Sequence, residues 1–178
     1  MNIDDLKSNS IIIYQHEEII QAINAVALNL NKVFCNKKVL VLPVMTGAIP
    51  FAGHLIPKLT FDVELGYFHA SRYQNNKGNK DIKLIYEPPK EKIQAKSVLL
   101  LDDILDEGYT LSYIKGRLKM HGATSVETAV LFDKAKDKNK PLTAKFVGLK
   151  IPDIYVYGFG LDFKGIGRNM PHLYAYKN

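Results

Sequence analysis

Four carboxylates fall within six positions of the chain, at Asp102, Asp103, Asp106 and Glu107. They come directly after Ser97–Leu101, an apolar run that predicts a buried strand. A charge beside a buried strand needs a metal ion, a hydroxyl group or a cation as its partner, because burying it alone is costly. The spacing therefore predicts a site that binds hydroxyl groups or a metal ion.

A glycine-containing turn follows the acids and leads into a helix. Gly108 lies just before Thr110–Met120, whose apolar residues have helical spacing. The first turn of a helix presents free backbone N–H groups and a partial positive charge, which suit a phosphate monoester. Acids for hydroxyl groups and Mg²⁺, combined with amides for a phosphate, indicate a site for a sugar phosphate. The alternative is that these residues only cap the helix.

The elements that must position this site alternate between strands and helices. Residues 17–30 predict an amphipathic helix, the only element expected in the first 35 residues, and Ile49–Lys58 predicts a second. The predicted strands are Val39–Pro43, Phe61–His69, Ile82–Tyr86, Ser97–Leu101, Thr124–Phe132 and Phe146–Ile151. Apolar runs between helices are typical of an α/β fold with a mostly parallel sheet, in which ligands bind beyond the carboxyl ends of the strands.

Composition places the chain among ordinary globular proteins. Its 178 residues are expected to form one domain, 1–178, and its shares of 47% apolar and 24% charged residues are average. No apolar run reaches the roughly 18 residues of a membrane span, and the opening segment MNIDDLKSNS lacks the layout of a secretory signal. With Cys35 as its one cysteine, the chain cannot form an internal disulfide. We expect a cytoplasmic protein with no membrane partner.

The net charge of +6 and the sequence pI of about 9.2 favour anionic partners. Much of the excess lies in two lysine patches: Lys77, Lys80 and Lys83, and then Lys134, Lys136, Lys138 and Lys140. A polyphosphate substrate and a nucleic acid would both suit this charge, and most of these lysines could simply keep loops solvated. Net charge alone therefore does not distinguish a polyphosphate substrate, a nucleic-acid partner and simple solvation of loops.

The segment Val98–Leu111, VLLLDDILDEGYTL, resembles the phosphoribosyl-diphosphate motif of type I phosphoribosyltransferases. That motif has an apolar strand, two acids, two apolar residues, an acid, a small residue, glycine, any residue and threonine. The resemblance implies that Asp102 and Asp103 bind the ribose hydroxyls and Mg²⁺, and that Asp106 is the general base near a purine. It also implies that one loop surrounds the 5′-phosphate: Asp106, Glu107, Gly108, Tyr109 and Thr110.

One position of this loop departs from the family pattern. Glu107 stands where the family usually carries serine or threonine. A hydroxyl group would donate to the phosphate, whereas a carboxylate would repel it. We therefore expect the Glu107 side chain to point away, so that only its backbone N–H contacts the phosphate and Glu107→Ala has little effect on binding.

Two later segments are similar to the hypoxanthine-guanine branch of this family. Leu131–Lys134, LFDK, matches the Leu-x-Asp-Lys motif of that branch, whose lysine contacts the 6-oxo group of a purine. A lysine donates to this carbonyl oxygen and disfavours the amino group of adenine, which also donates. Without the motif, Lys134 would be read as one more solvated lysine.

Ile151–Asp162, IPDIYVYGFGLD, resembles the segment IPDxFVVGYGxD of the same branch. The resemblance implies that Tyr155 stacks on the base and that the backbone at Val156 meets the edge of the purine. It also implies that Asp162 helps to hold a second Mg²⁺ on the diphosphate. Arg168, six residues further on, is expected to contact the leaving diphosphate.

Two other segments match the branch less closely. In Val44–Ala48, Thr46 stands where the family's diphosphate loop carries a basic residue, and its peptide bond is often cis in the family. We expect the backbone of Thr46 and Gly47 to contact the diphosphate. A mobile arm is expected at about residues 70–82, where Arg72 and Tyr73 take the place of a Ser-Tyr pair. Closure of this arm would exclude water, and Arg72 would offset the charge missing at Thr46.

The resemblance extends from about Val39 to Pro171 and implies a specific enzymatic reaction. The expected reaction transfers a 5-phosphoribosyl group from 5-phosphoribosyl 1-diphosphate to hypoxanthine or guanine, with Mg²⁺ as cofactor. The expected fold is α/β, with a mostly parallel central sheet flanked by helices and a small hood formed by terminal segments. The family also suggests a homodimer or homotetramer, and the choice among hypoxanthine, guanine and xanthine stays open.

Two alternatives come from other functional classes. A regulator could keep the diphosphate-sugar site and bind nucleic acid, but no helix-turn-helix segment is evident, and Lys134, Asp162 and Arg168 are all retained. A phosphoacceptor signalling domain also places acids at strand ends. It would need an acidic pair on another strand, and Val39–Pro43 offers none. The sequence therefore favours the transferase and argues against a nucleic-acid partner.

Overall fold

The computed structural model describes residues 3–74, 80–136 and 139–177, with the side chains of 71–74, 80 and 81 outside the description. Its helices are α1 (Ile3–Ser8), α2 (His16–Val33), α3 (Ile49–Leu55), α4 (Lys90–Ile93) and α5 (Tyr109–Met120), and a 3₁₀ turn covers Ile56–Lys58. Its strands are β1 (Ser10–Tyr14), β2 (Lys38–Met45), β3 (Asp62–Leu65), β4 (Phe68–Gln74), β5 (Lys80–Tyr86), β6 (Ser97–Leu105), β7 (Ser125–Lys134), β8 (Phe146–Ile151), β9 (Val156–Tyr157) and β10 (Leu173–Tyr176). None of the described helices has the length and apolar character that crossing a membrane requires.

Seven strands form the central sheet, in the order β5-β4-β2-β6-β7-β8 with β3 beside β2. Neighbouring strands are parallel except β4 and β5, which pair antiparallel. The residues that connect β4 to β5, 75–79, lie outside the described part of the chain. The carboxyl ends of β2, β6 and β7 consequently meet at one edge of the sheet, and the predicted mostly parallel sheet is confirmed.

Both faces of the sheet are covered, which explains the continuous apolar runs in its central strands. Along β6, Leu99 and Leu101 belong to the hydrophobic cluster that contains α2 and α3. Val98 and Leu100 belong to the cluster on the other face, to which α5 contributes Leu111, Ile114 and Leu118. Each buried leucine contributes about 1.5–3 kcal/mol. The strand that ends in the acidic cluster is therefore held by packing from both sides.

A second, three-stranded sheet has the order β1-β10-β9, with both pairings antiparallel. It joins the two ends of the chain, as expected for the hood, and a small core of Leu6, Tyr157, Phe163, Met170 and Tyr174 lies beneath it. The prediction that the first 35 residues add only one helix is wrong, because α1 and β1 precede α2. The run SIIIY of β1 shows no alternation, since it is a short edge strand whose side chains stay partly exposed.

Three predicted boundaries are corrected by the structure. The segment predicted as one strand, Phe61–His69, forms both β3 and β4. Gly66, between them, lies so close to the Leu42 side chain that a β-carbon on Gly66 would come within 2.8 Å of Leu42 Cδ2. The helix predicted to Lys58 changes to a 3₁₀ turn after α3, because Pro57 has no N–H for an α-helical hydrogen bond. The third correction is that β6 continues through the aspartate pair instead of ending before it.

Candidate active site

A cavity of about 340 Å³ opens at the carboxyl ends of β2 and β6. Its volume lies in the usual range of small-molecule sites, which is about 300–1,000 Å³. The predicted hydroxyl-binding acids and the glycine turn share its wall: Asp102, Asp103, Asp106, Glu107, Gly108 and Thr110. Thr46, Gly47, Asp162 and Arg168 line it as well. Segments that are far apart in the sequence therefore converge on one space.

Asp102 and Asp103 are buried in β6 at the base of this cavity. The Asp103 backbone N–H donates to Asp102 Oδ1 at 3.0 Å. Burial raises the pKa of Asp103 above its ordinary value, although hydrogen bonding with Asp102 and the charge of Arg168 act in the opposite direction. The residue is only 8% exposed, so Asp103 has little water to stabilise its charge. A cation or a hydroxyl group in the cavity would stabilise this charge further.

The segment after β2 reaches the same cavity through its backbone. The Met45–Thr46 peptide is cis. A β-carbon on Gly47 would come within 1.7 Å of Asp103 Oδ2, and one on Gly160 would come within 2.1 Å of the Gly47 carbonyl oxygen. Neither position therefore has room for a side chain. The close approach aligns the Thr46–Gly47 backbone beside the aspartate pair.

The turn that follows β6 is shaped by Gly108. This residue is the N-cap of α5 and has a φ of 82°, a left-handed conformation that glycine adopts without a steric penalty. Its carbonyl oxygen accepts the Ser112 N–H at 3.0 Å, which begins the helix. The first N–H groups of any helix have no acceptor within it, so this end of α5 presents hydrogen-bond donors toward an anion. The cavity wall therefore contains both the N–H donors at the start of α5 and the carboxylates of Asp102, Asp103 and Asp106.

Asp106 lies between the turn and two lysines. Its Oδ1 is 2.9 Å from Lys136 Nζ, and its Oδ2 is 3.5 Å from Lys134 Nζ. Burial alone raises the pKa of Asp106, but the hydrogen bond from Lys136 and the charges of both lysines outweigh it, so the pKa lies below its ordinary value. Asp153 Oδ1 accepts from Lys136 at 2.8 Å. Asp106 is therefore ionised at neutral pH and is a weak base.

Lys134 ends β7 and is only 9% exposed. Its ammonium faces two carboxylates, Asp106 at 3.5 Å and Asp153 at 3.8 Å. The reading of Lys134 as one more solvated lysine is therefore wrong. A second cavity, of about 270 Å³, lies along the loop that follows β7, and Lys134, Lys136 and Lys140 line it.

Asp162 and Arg168 form another part of the cavity wall. Arg168 Nη2 lies 2.5 Å from Asp162 Oδ1, and its Nη1 donates to the Gly160 carbonyl oxygen at 2.6 Å. The Gly165 N–H donates to Asp162 Oδ2 at 2.8 Å. These bonds hold the Asp162 carboxylate and the Arg168 guanidinium together at the cavity wall.

Four predicted residues whose side chains are described are not among those that line this cavity: Tyr109, Lys134, Tyr155 and Val156. Tyr155 is 56% exposed, and its hydroxyl group donates to the Asp162 carbonyl oxygen at 3.1 Å, while Val156 is buried in β9. The backbone of Arg72 and Tyr73 belongs to β4, but their side chains lie outside the described part of the structure. Closure of the arm at about 70–82 stays a prediction.

Three charged residues near the site were missed from the sequence. In the sequence, Lys136 and Lys140 are only members of a basic patch that could be solvated, and Asp153 is only part of a matched motif. Their partners belong to other strands and loops, so no local pattern reveals these contacts. The one available signal was the density of lysines directly after the LFDK motif.

The sequence matches the family model of the phosphoribosyl transferase domain over residues 11–164. The chain therefore belongs to the phosphoribosyltransferase family, and its curated relatives place it in the hypoxanthine-guanine branch. The hypoxanthine-guanine phosphoribosyltransferase of Streptococcus mutans is 30% identical over 162 residues, which cover 91% of this chain and 90% of that protein. The enzyme of the same name from Mycoplasma genitalium is 34% identical over 143 residues, covering 80% of this chain and 82% of that protein.

Solved structures give the same family. A hypoxanthine-guanine phosphoribosyltransferase of Bacillus anthracis superposes with a TM-score of 0.85 and 29% identity, covering 93% of this chain and 97% of that one. A hypoxanthine phosphoribosyltransferase of Staphylococcus aureus gives a TM-score of 0.88 and 26% identity, covering 99% of this chain and 96% of that one. These matches confirm the predicted family, fold class and class of enzyme.

Proposed function

We propose that this enzyme transfers the 5-phosphoribosyl group of 5-phosphoribosyl 1-diphosphate to hypoxanthine or guanine, producing IMP or GMP and diphosphate. The observation that carries the proposal is the shared cavity, in which Asp102 and Asp103 face the same space as the Gly108 turn. Carboxylates accept hydrogen bonds from ribose hydroxyls, and the start of α5 suits the 5′-phosphate. The names of the relatives support the choice of substrates.

In the reaction, the bond between ribose C1 and the diphosphate oxygen breaks, and a bond from C1 to purine N9 forms. The electron pair of the broken bond leaves with the diphosphate, and the purine loses one proton. Positioning and fixed charges supply most of the catalysis in such a site. The Asp106 carboxylate is ionised and weakly basic. We therefore propose that it orients the purine and accepts the purine's proton as positive charge develops on the purine ring.

Mg²⁺ fits the acids of this site. Among the described residues no group of three or more His, Cys, Asp or Glu side chains forms a metal cage. Mg²⁺ is usually held by one or two carboxylates together with substrate oxygens and water, so the Asp102–Asp103 pair is sufficient. Asp162 would hold a second ion. When bound, Mg²⁺ neutralises charge on the leaving diphosphate.

Lys134 supplies the preference for a 6-oxopurine in this proposal. Its ammonium is held close to Asp106, so a purine bound against Asp106 would present its 6-oxo group to a donor. Adenine would place an amino group there, and two donors would face each other. Tyr155 would stack on the base, and the Val156 backbone would meet its edge.

The diphosphate would lie on the opposite side of the sugar. The backbone of Thr46 and Gly47 donates N–H groups there in our proposal, and Arg168 supplies the positive charge. Arg72 and Tyr73 would close over the substrates from the arm. We also propose a homodimer or homotetramer, which light scattering would test, and a cytoplasmic enzyme, consistent with the exposed free thiol of Cys35.

A spectrophotometric assay tests the proposal. The enzyme is mixed with Mg²⁺ and 5-phosphoribosyl 1-diphosphate, and hypoxanthine, guanine, xanthine and adenine are supplied in turn. We expect nucleotide formation with hypoxanthine or guanine, none with adenine, and loss of turnover when the metal is chelated. Turnover with adenine and no 6-oxopurine would overturn the assignment of the purine, and no turnover with any purine would overturn the proposal as a whole.

A further inference from the structure

The ammonium of Lys140 makes three hydrogen bonds at the carboxyl end of the sheet. Lys140 Nζ donates to the Leu105 carbonyl oxygen at 2.7 Å, to the Lys134 carbonyl oxygen at 2.6 Å and to Asp133 Oδ1 at 2.5 Å. An ammonium group has three N–H donors, so this one is fully used by the protein. Its side chain is only 14% exposed. This lysine is therefore part of the framework and not a solvated surface charge.

The three acceptors lie next to the residues proposed to contact the purine. Leu105 immediately precedes Asp106, and Asp133 immediately precedes Lys134. Leu105 and Asp133 are also register partners, and they are the last pair between β6 and β7. Lys140 thus joins the two strands at the point where their ladder ends and their functional side chains begin.

The same segment also packs against the phosphate-binding turn. A β-carbon on Gly108 would lie 3.4 Å from Pro141 Cδ and 3.5 Å from Lys140 Cβ, which is ordinary van der Waals contact. Lys140 and Pro141 therefore pack against the turn that follows β6. The loop that carries Asp106 is held at two points. The Lys140 ammonium binds the Leu105 carbonyl oxygen at its beginning, and Lys140 and Pro141 pack against Gly108.

We propose that Lys140 is a positioning residue that sets the separation between Asp106 and Lys134. The inference rests on the proposed function, because it assigns Lys140 a role through two residues of that site. Lys140 does not touch the substrates. Without the ammonium, the ends of β6 and β7 lose their shared donor, and Asp133 is left partly buried without its cation. Small displacements of catalytic groups cost up to about 10²-fold in rate, so the effect should appear in catalysis.

Chemical restoration of the ammonium distinguishes positioning from simple loss of stability. In a Cys35→Ser background, Lys140→Cys is made and then alkylated with 2-bromoethylamine, which rebuilds a lysine-like amine on the thiol, with incorporation verified by mass. The control is Lys145→Cys, treated identically. Lys145 pairs with Glu127 at 2.7 Å, has a side chain that is 47% exposed, and lies just before β8, beside the first half of β7.

We expect Lys140→Cys to lower kcat/KM for the purine by about tenfold or more and to raise its KM, while Lys145→Cys changes it by less than about twofold. Alkylation should restore most of the activity at position 140 only. Deuterium uptake over residues 105–110 should rise in the variant and fall again after alkylation. Should Lys140→Cys fail to fold, Lys140→Gln replaces it in the kinetic and exchange measurements.

The outcomes separate this inference from the proposed function. If the unaltered enzyme transfers phosphoribose but the Lys140 variant matches the Lys145 control, the positioning role is wrong and the proposed function stands. Recovery of thermal stability after alkylation without recovery of kcat/KM would also overturn the positioning role. If the unaltered enzyme shows no transfer, the proposed function fails, and unchanged deuterium uptake over residues 105–110 would then overturn the inference independently.

Discussion

Gly47 lies directly against the carboxylate of Asp103, so that a β-carbon on Gly47 would come within 1.7 Å of Oδ2. The two residues come from the ends of neighbouring parallel strands, β2 and β6. Their approach brings the backbone proposed to bind diphosphate next to an acid proposed to bind ribose hydroxyls and Mg²⁺. The absence of a side chain at Gly47 is thus a structural requirement of the site.

Gly47→Ala tests this requirement. The methyl group would push the Asp103 carboxylate out of place, and we expect kcat/KM for 5-phosphoribosyl 1-diphosphate to fall by about 10²-fold. Gly53→Ala is the matched control, because Gly53 lies in α3 with no atom within 4 Å of an added β-carbon. It should retain activity and be more stable by about 0.4–1 kcal/mol. Equal kinetics for the two variants, measured at matched folded fractions, would contradict the requirement.

How much of this site the sequence predicts depends on how local each signal is. The acids, the glycine and the following helix lie in one segment, so Asp102 and Gly108 could be placed in one site from spacing alone. The strand break at Gly66 could not be predicted, because it depends on the side chain of Leu42 in a different strand. The hood pairs β1 with β10, whose register partners, such as Tyr14 and Leu173, lie 159 or more positions apart in the sequence, so no local pattern reveals this pairing.

The charged residues around Asp106 show the same limit. Lys136 and Lys140 have no assigned role from the sequence, because charge density is the one local observation there. Their contacts require the ends of β6 and β7 to be adjacent, which only the sheet order provides. The apolar patterns predicted the strands well, but the partners of a charged group depend on tertiary structure.

Lys136→Met should change the pH dependence of catalysis. Asp106 faces Lys136 and Lys134, and its pKa is below the ordinary value because these partners outweigh burial. Its base form is therefore present at neutral pH and is lost only as pH falls through the lowered pKa. Removing Lys136 leaves the burial and weakens the opposing charge, so the pKa of Asp106 should rise.

The acid limb of kcat/KM for the purine should then move to higher pH in Lys136→Met. Lys119→Met is the control, because Lys119 lies near the far end of α5 and is exposed. Profiles that extend from neutral pH to below the ordinary Asp pKa of 3.8, to about pH 3, would show the shift. An acid limb that stays in place, or that moves to lower pH, would show that Lys136 does not control Asp106.

Lys134→Met should weaken the selection of 6-oxopurines. A hydrogen bond to a charged group contributes about 1.5–3 kcal/mol, so kcat/KM for hypoxanthine should fall by roughly 10- to 150-fold. The ratio of hypoxanthine to adenine turnover should fall with it, because the repelling donor is also removed. Steady-state assays with both purines measure this ratio. An unchanged ratio would place the 6-oxo group elsewhere.

Arg117→Gln should destabilise the protein without altering the site. The Arg117 guanidinium in α5 makes two hydrogen bonds with the Glu87 carboxylate, one of them 2.6 Å from Nε to Oε2. This pairing lowers the pKa of Glu87, although burial opposes it. We expect a loss of about 1–3 kcal/mol in the free energy of unfolding at pH 7.

The loss at Arg117 should depend on pH in a defined direction. A carboxyl with a lowered pKa in the folded state contributes stability above its unfolded pKa and loses it as pH falls through the folded pKa. The difference between wild type and Arg117→Gln should therefore be constant near neutrality and shrink below the ordinary Glu pKa of 4.5. Urea titrations across this range measure it, with Lys119→Gln as the surface control. A difference that grows on acidification would contradict this role of Glu87.

In the proposed site, the acids of β6 and the turn after it hold opposite sides of one sugar phosphate. A crystal structure of the protein with Mg²⁺ and GMP measures this directly. We expect the 5′-phosphate to lie on the backbone N–H groups between Asp106 and Thr110, with the ribose hydroxyls on Asp102 and Asp103. A nucleotide bound elsewhere, or with its phosphate away from the Gly108 turn, would contradict it.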